Sequence, residues 1–225
     1  MVARRAAELQ TLAASLSVPV SIYALDVTDS AALAAAAQDF IRRHGVPDVV
    51  IANAGISAGT QGDLAADIAV LSTIMRTNVV GLAATLQAFV VPMRECGRGA
   101  LVGIASVAGF RGLPGAGAYC ASKSAAIAWL EALRIELYGS GVDVLTVCPG
   151  FIATPMTARN RNPMPFLLEA PEAARRIARA IRARKRLAII PWQMRLVFML
   201  LRRMPNRMYD RLFARAPRKL RDPQT

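Results

Sequence analysis

Tyr119 and Lys123 stand four residues apart in Tyr119-Cys120-Ala121-Ser122-Lys123, a stretch that reads as helix. At that spacing their side chains share a helix face. A phenol exchanges a proton near neutral pH only with help, because free tyrosine titrates at about 10. A lysine ammonium one turn away supplies that help by favouring the phenolate. The pair alone has an equally good plain reading, a tyrosine ring packed on a lysine stem, so the rest of the chain must decide.

Other chemistries are poorly supplied. His44 is the only histidine and sits in Arg42-Arg43-His44-Gly45 at the end of a helical stretch, which argues against a histidine triad or a multi-histidine metal site. Its plain reading is a surface residue at the negative end of a helix dipole. Cys96, Cys120 and Cys148 form no C-x-x-C, so no metal site and no disulfide framework is expected, and a reducing, cytoplasmic compartment fits best.

The elements that would position Tyr119 and Lys123 come from a chain of 225 residues, 54% hydrophobic and 6% aromatic. This suits one α/β domain with buried strands and Ala-rich helices. Charge is divided unevenly: residues 1–158 carry 10 Lys and Arg against 11 Asp and Glu, whereas residues 159–225 carry 18 against 4. The basicity therefore belongs to the C-terminal part, and the question of an anionic partner concerns that part alone. Glu8, Gln10 and Pro19 interrupt any signal-peptide core after Arg4 and Arg5, and the apolar run Leu196–Leu201 is far short of the about 20 residues of a spanning helix. The reading is of a chain that does not cross a membrane.

Residues 3–16 read as a helix and Val20–Leu25 as a strand closed by Asp26. Asp29 or Ser30 caps a helix to about Arg43, stopped by Gly45 and Pro47. Asp48–Ile51 is a short apolar run ending at Asn53-Ala54-Gly55, and a long helical tract from about Asp67 to Met93 contains Asn78. Ala100–Ala105 is a strand ending at Ser106, the helix with Tyr119 runs to about Tyr138, and Val142–Val147 is a strand broken by Cys148-Pro149-Gly150. A helix over 171–184 and a strand Leu187–Ile190 follow. Alternation of this kind predicts a mostly parallel, doubly wound sheet with helices on both faces. Asp26, Asn53–Gly55, Ser106 and Pro149-Gly150 all fall just after strands, at the edge where such sheets bind ligands.

With those residues in order, the chain resembles the short-chain dehydrogenase/reductase family over roughly residues 3–190. The matches are Asn53-Ala54-Gly55, Asn78 followed by Val79-Val80-Gly81, Ser106 thirteen residues before Tyr119, Tyr119-x-x-x-Lys123, and Pro149-Gly150 followed by Thr154. The resemblance implies a Rossmann-like fold and an NAD(P)-dependent oxidoreductase that interconverts a hydroxyl and a carbonyl. It makes Tyr119 the general acid/base and Lys123 its electrostatic partner and a ribose ligand. Ser106 would hold the substrate oxygen, and Asn78 would order a water between Lys123 and solvent. Asn53, Ala54, Gly55, Pro149 and Gly150 would line the cofactor, Thr154 would hold the nicotinamide carboxamide, Ile152 would back the ring, and Asp26 with Val27 would meet the adenine. Arg4 and Arg5 stand where this family often takes the 2′-phosphate of NADP, so NADP(H) is favoured over NAD(H); their plain reading is two solvated arginines in a first helical turn.

The family's opening strand and T-G-x-x-x-G-x-G turn have no counterpart here. The expectation is of a truncated chain that lacks the first β-α unit, binds NADPH poorly and leaves bare strand edges beside the strands at Val20 and Val49. A chain that keeps the fold as a non-catalytic binding or scaffold protein is the alternative. Residues 151–170, with Met156, Met164, Phe166, Leu167 and Leu168, would cover a small hydrophobic substrate. A homo-oligomer is expected. Residues 191–225 read as a basic, partly amphipathic helical extension, either packed on the core or a second subunit or lying on an anionic membrane surface; nucleic acid is not expected.

Overall fold

The computed structural model describes residues 1–158, 163–219 and 221. Its centre is a four-stranded parallel sheet of β3 (Val49–Ala52), β4 (Gly99–Ile104), β5 (Val142–Pro149) and β8 (Leu187–Ile190), in the order β3-β4-β5-β8. All four are short apolar runs, and the two central strands, β4 and β5, are the most deeply buried. β5 is buried along nearly its whole length. α4 (Leu82–Glu95) and α5 (Gly117–Glu136) cover one face, where Leu86, Met93, Leu130 and Leu133 pack on Val50, Leu101 and Val144. α7 (Ala170–Arg182) covers the other, with Ala180 and Ile177 on Val102, Leu145 and Val147.

The expected helices and buried strands are present within a few residues of their predicted bounds. α2 (Ser30–His44) is capped by Asp29, whose side chain accepts from Ala32 N at 2.9 Å, and it ends at Gly45 with φ of 79°. His44 closes that helix, 2.8 Å from the Ser21 hydroxyl. The helical tract from Asp67 is α3 (Asp67–Met75), one π turn (Arg76–Gly81) and α4. That tract is long and apolar enough to cross a membrane by length and composition. Here it carries buried Asn78 at its middle and sets Ile74, Leu82, Leu86 and Met93 into the core.

Two differences from the sequence expectation stand out, at the N-terminus and after β5, whereas the C-terminal part is helical as read. The chain opens with a strand, β1 (Val2–Ala3), before α1 (Ala6–Ala14), and the run Val20–Leu25 yields only β2 (Tyr23–Ala24). β2 pairs with β1 alone, in parallel register, so its length is set by a two-residue partner. A second small pair, β6 (Ile152–Ala153) with β7 (Leu168–Glu169), follows β5; α6 (Pro155–Ala158) lies between its strands. The C-terminal part forms α8 (Trp192–Arg203) and α9 (Asn206–Phe213), with Met194 and Phe198 of α8 packed among Ala105, Val107 and Cys148.

The pair β1-β2 does not hydrogen-bond to β3. A cleft of about 530 Å³ separates them, lined by Tyr23, Leu33, Phe40, Val49 and Ile51 among others. On β3 the side chains alternate between covered and open, with Val49 39% and Ile51 48% exposed. The free β3 edge thus faces the cleft.

Candidate active site

α5 begins at Gly117, so Tyr119 lies in its first turn and Lys123 one turn on. Lys123 is 4% exposed, and its Nζ donates to the Ile104 carbonyl at 2.9 Å, at the end of β4. The ammonium lies 5.7 Å from the centroid of the Tyr119 ring. Among the described residues it has no carboxylate partner. Burial, which penalises the charged form, lowers its pKa to about 8. An ammonium has three protons to donate, and among the described residues one acceptor, Ile104 O, is engaged.

Ser106 follows β4 in an extended conformation. Its Oγ accepts from Ala108 N at 3.2 Å, capping a 3-10 turn over Val107–Gly109, and reaches the Pro149 carbonyl at 3.5 Å. These contacts tie the ends of β4 and β5 together. Burial raises the Tyr119 pKa, and the Ser106 hydroxyl beside the phenol offsets part of that rise. Beneath the pair, Cys148 is fully buried and its thiol is pushed up to about 12 by desolvation, so it is inert as a nucleophile.

Asn78 occupies the π turn and is fully buried. Its Oδ1 accepts from Ile56 N at 2.8 Å, and its Nδ2 donates to Ile56 O at 2.9 Å and to Ser122 Oγ at 3.0 Å. Ser122 in turn donates to the Tyr119 carbonyl at 2.8 Å. Single π turns recur at functional sites because the widened turn re-aims a side chain. Here it turns Asn78 into a clip between the loop after β3 and the first turn of α5. Both Nδ2 protons are used, and one Oδ1 lone pair is left for a water. Ser122 is a site residue that sequence reading missed; a serine inside a helix reads as a solvated or back-bonding residue, and only the fold brings Asn78 to it.

Gly55 joins this cluster to the cleft. A Cβ there would come within 3.3 Å of Asn78 Oδ1, a tight approach, and 3.5 Å of Lys123 Nζ, an ordinary contact, so the backbone passes close to both groups at this point. Asn53, Ala54 and Gly55 line the cleft from the β3 side, and Arg4, Arg5, Asp26 and Val27 from the β1-β2 side. Asp26 accepts from the Thr28 amide and hydroxyl at 2.8 and 2.9 Å, which is the main cause of its lowered pKa. Arg4 approaches Asp26 at 3.6 Å, whereas Arg5 pairs with Glu8 at 2.6 Å; both arginines are largely exposed. Val27 packs on Gly81, where a Cβ would meet it at 2.9 Å.

At the other end of the edge, Gly150 N donates to Ile190 O at 2.7 Å, fixing the break after β5. Ile152 lies in β6, and Thr154 N donates to Thr157 Oγ1 at 3.0 Å, closing the turn into α6. The structure also brings the C-terminal segment to the site, which sequence reading did not foresee. Lys219 donates to Ser57 Oγ, with its Nζ 5.3 Å from the Tyr119 ring centroid, and Arg221 reaches buried Asp67 at 2.6 Å. No periodic signal marks such contacts, since they join residues 162 and 154 positions apart.

The residues present fit a nicotinamide nucleotide at its ribose end. A buried ammonium with protons to spare stands where Gly55 leaves room for a ligand backbone or ring. Polar strand-end residues on a parallel sheet, beside a long cleft, define the class of dinucleotide-binding α/β proteins.

Comparison with known proteins narrows that class. A family profile described as short chain dehydrogenase matches residues 1–165. An uncharacterized oxidoreductase of Myxococcus xanthus is 38% identical over 210 residues, covering 92% of this chain and 83% of that protein. Coverage is much shorter on the probable oxidoreductase EphD of Mycobacterium tuberculosis, 38% identical over 138 residues: the chain spans 23% of its length. A short-chain dehydrogenase from Streptomyces avermitilis superimposes with a TM-score of 0.78 at 25% identity, over 95% of this chain and 83% of that one. One from Burkholderia cenocepacia, solved in complex with NADP, gives 0.76 at 24% identity over 90% and 82%. The chain belongs to the short-chain dehydrogenase family and is an oxidoreductase of that family.

Proposed function

We propose that this protein interconverts a hydroxyl and a carbonyl on a small hydrophobic substrate, with Tyr119 as the general acid/base. The observation that carries the reading is the buried Lys123 ammonium, without a carboxylate partner among the described residues, one turn from a phenol that has the Ser106 hydroxyl beside it. The bound nicotinamide supplies or accepts the hydride. Ser106 Oγ holds the substrate oxygen against the Tyr119 hydroxyl, and that hydroxyl gives a proton to a developing alkoxide or takes one from an alcohol. The Lys123 charge stabilises the phenolate form against the burial that opposes it. Its spare protons hold the ribose hydroxyls, and Asn78 keeps Gly55 and α5 at the spacing this requires. Arg4 and Arg5, exposed on the cleft wall, suit a 2′-phosphate, which favours NADP(H).

Met156, Phe166 and Leu167 are exposed on the stretch after β5, which supports an apolar substrate. One observation favours a second reading, that of a chain which retains the fold without turnover. The cleft between β2 and β3 is open along the β3 edge, and among the described residues no strand-to-helix turn lies there to close around a pyrophosphate. Thermal melting with NADPH and with NADH separates the two readings. A rise of several degrees, larger with NADPH, is expected of the first. No shift with either nucleotide, together with no reduction of medium-chain ketones or aldehydes, would establish the second.

A further inference from the structure

The pair α8–α9 presents an apolar surface that the core does not use. α8 has two apolar faces. Met194 and Phe198 enter the core, where Phe198 meets Phe110 at 5.7 Å between centroids. Trp192, Leu196 and Leu200, spaced i, i+4 and i+8, form a second stripe that is 64%, 55% and 67% exposed. Met199 on α8 is exposed as well, and so are Met208 and Leu212 on α9.

This surface is held rigidly. Arg111 Nη1 donates to Leu201 O at 2.6 Å and Met204 O at 2.9 Å, and Nη2 reaches Asn206 Oδ1 at 2.8 Å. The guanidinium thereby fixes the turn between the helices and stacks on the Tyr209 ring at 4.0 Å. Tyr209 is buried and donates to Gly112 O at 2.7 Å. A helix pair anchored so firmly, yet exposing a tryptophan and five long apolar side chains, has a surface built for something outside the chain.

Charge says what. Arg195, Arg202, Arg203, Arg207, Arg211 and Arg215 are exposed on the same segment, with Asp210 as its one acid. Among the described residues none of the six arginines has a carboxylate partner. A two-fold pairing of this face with itself would set the same cations against each other, and a nucleic acid would meet a tryptophan and leucines where it needs polar contacts. An apolar stripe with an interfacial tryptophan and exposed arginines on the same segment matches the headgroup zone of an anionic bilayer, where the helix lies in plane, the rings sit at the boundary and the guanidinium groups reach the phosphates.

We propose that the outer face of α8–α9 docks this protein on anionic lipid bilayers. The face stands apart from Tyr119 and Lys123, so the proposal holds whether or not the chain turns over a substrate. It adjoins the site on one side: a Cβ at Gly150 would come within 3.0 Å of Met194 Cγ, so α8 lies against the end of β5. Docking would bring the substrate side of the sheet edge near the lipid.

The full chain, floated with phosphatidylcholine vesicles with and without phosphatidylserine, tests this. Expected is co-flotation only with the anionic vesicles, lost at high salt. Arg202→Glu with Arg203→Glu should weaken that binding by about a hundredfold or more, at roughly tenfold or less for each cation removed plus the repulsion introduced. Leu196→Glu with Leu200→Glu should abolish it; these side chains are exposed, so circular dichroism and melting temperature should stay unchanged in both variants. The proposal is overturned if the wild-type chain fails to float with anionic vesicles, or if either variant floats as well as wild type. It is equally overturned if light scattering shows a dimer that the leucine variant dissolves while vesicle binding is absent.

Discussion

The two halves of the strand edge are built to different standards. Around α5 the polar groups are matched: Asn78 with Ile56 and Ser122, Ser122 with the Tyr119 carbonyl, Lys123 with Ile104, Ser106 with Ala108 and Pro149. On the cleft side, β3 has a neighbour on one edge only, β1-β2 stands apart, and Val49 and Ile51 face open space. Proton-transfer geometry is therefore separable from the nucleotide cradle. The first is fixed by one helix, one π turn and the ends of two central strands, all of which are internally supported. The second depends on what lies between β2 and β3.

The sharpest break of this contrast is at Tyr119. In any preparation that turns over, Tyr119→Phe should lower kcat by about a hundred- to ten-thousandfold, or about 3–5 kcal/mol of barrier. Nucleotide binding, measured by fluorescence titration, should remain within about twofold. Equal turnover by the variant would remove Tyr119 from the mechanism. Next in size is the clip. Asn78→Leu keeps the branching at Cγ but leaves the Ile56 amide and carbonyl unpaired and adds bulk at a fully buried position, which should cost about 3 kcal/mol. Urea denaturation should show it as a lower midpoint at unchanged slope. A loss below about 1 kcal/mol would mean that the loop after β3 is not held through this residue.

How much of this was legible follows from how each part is specified. β3, β4, β5 and β8 carry continuous apolar runs and α2, α5 and α7 carry caps or helical period, so local pattern suffices. Tyr119 and Lys123 are placed by helix spacing, and Ser106 and Gly55 by their position after strands. β1, β6 and β7 are two residues long; nothing in so short a run sets it apart from a loop, and only pairing defines it. The truncation of Val20–Leu25 to Tyr23–Ala24 has the same cause. Ser122, and Lys219 over the Tyr119 ring, are products of long-range packing and have no local signature.

Lys123 offers a smaller, pH-resolved test. Its folded pKa, about 8, lies below the 10.5 of an ordinary lysine. Between those two values the unfolded chain holds a proton that the folded chain has released, so stability rises with pH across that window. Below pH 8 the full cost of burying the charge is present. Lys123→Met removes that cost, about 3 kcal/mol from the shift, and forfeits about 1 kcal/mol with the Ile104 bond. The variant should then be more stable than wild type by about 2 kcal/mol at pH 7; the difference should fall through zero between pH 8 and 10.5 and leave the variant about 1 kcal/mol less stable above that window. It should be inactive throughout. A variant less stable than wild type at pH 7 would show the ammonium to be solvated, and the matched half less enclosed than described.

The least effect is expected on the cleft side, and it comes from a pair of substitutions in one row of the sheet. Ile51 and Val102 are register partners on β3 and β4, so their side chains leave the same face. Val102 is fully buried under α7, with Leu145 as its own partner on β5, whereas Ile51 is 48% exposed. Val102→Thr places a hydroxyl in an apolar layer and should cost about 2 kcal/mol. Ile51→Thr makes the same kind of change in the open and should stay within about 0.5 kcal/mol. Chemical denaturation of both variants reads the difference directly. If Ile51→Thr proves as costly as Val102→Thr, the face of β3 beside the cleft is covered in solution, and the contrast between the two halves of the edge disappears.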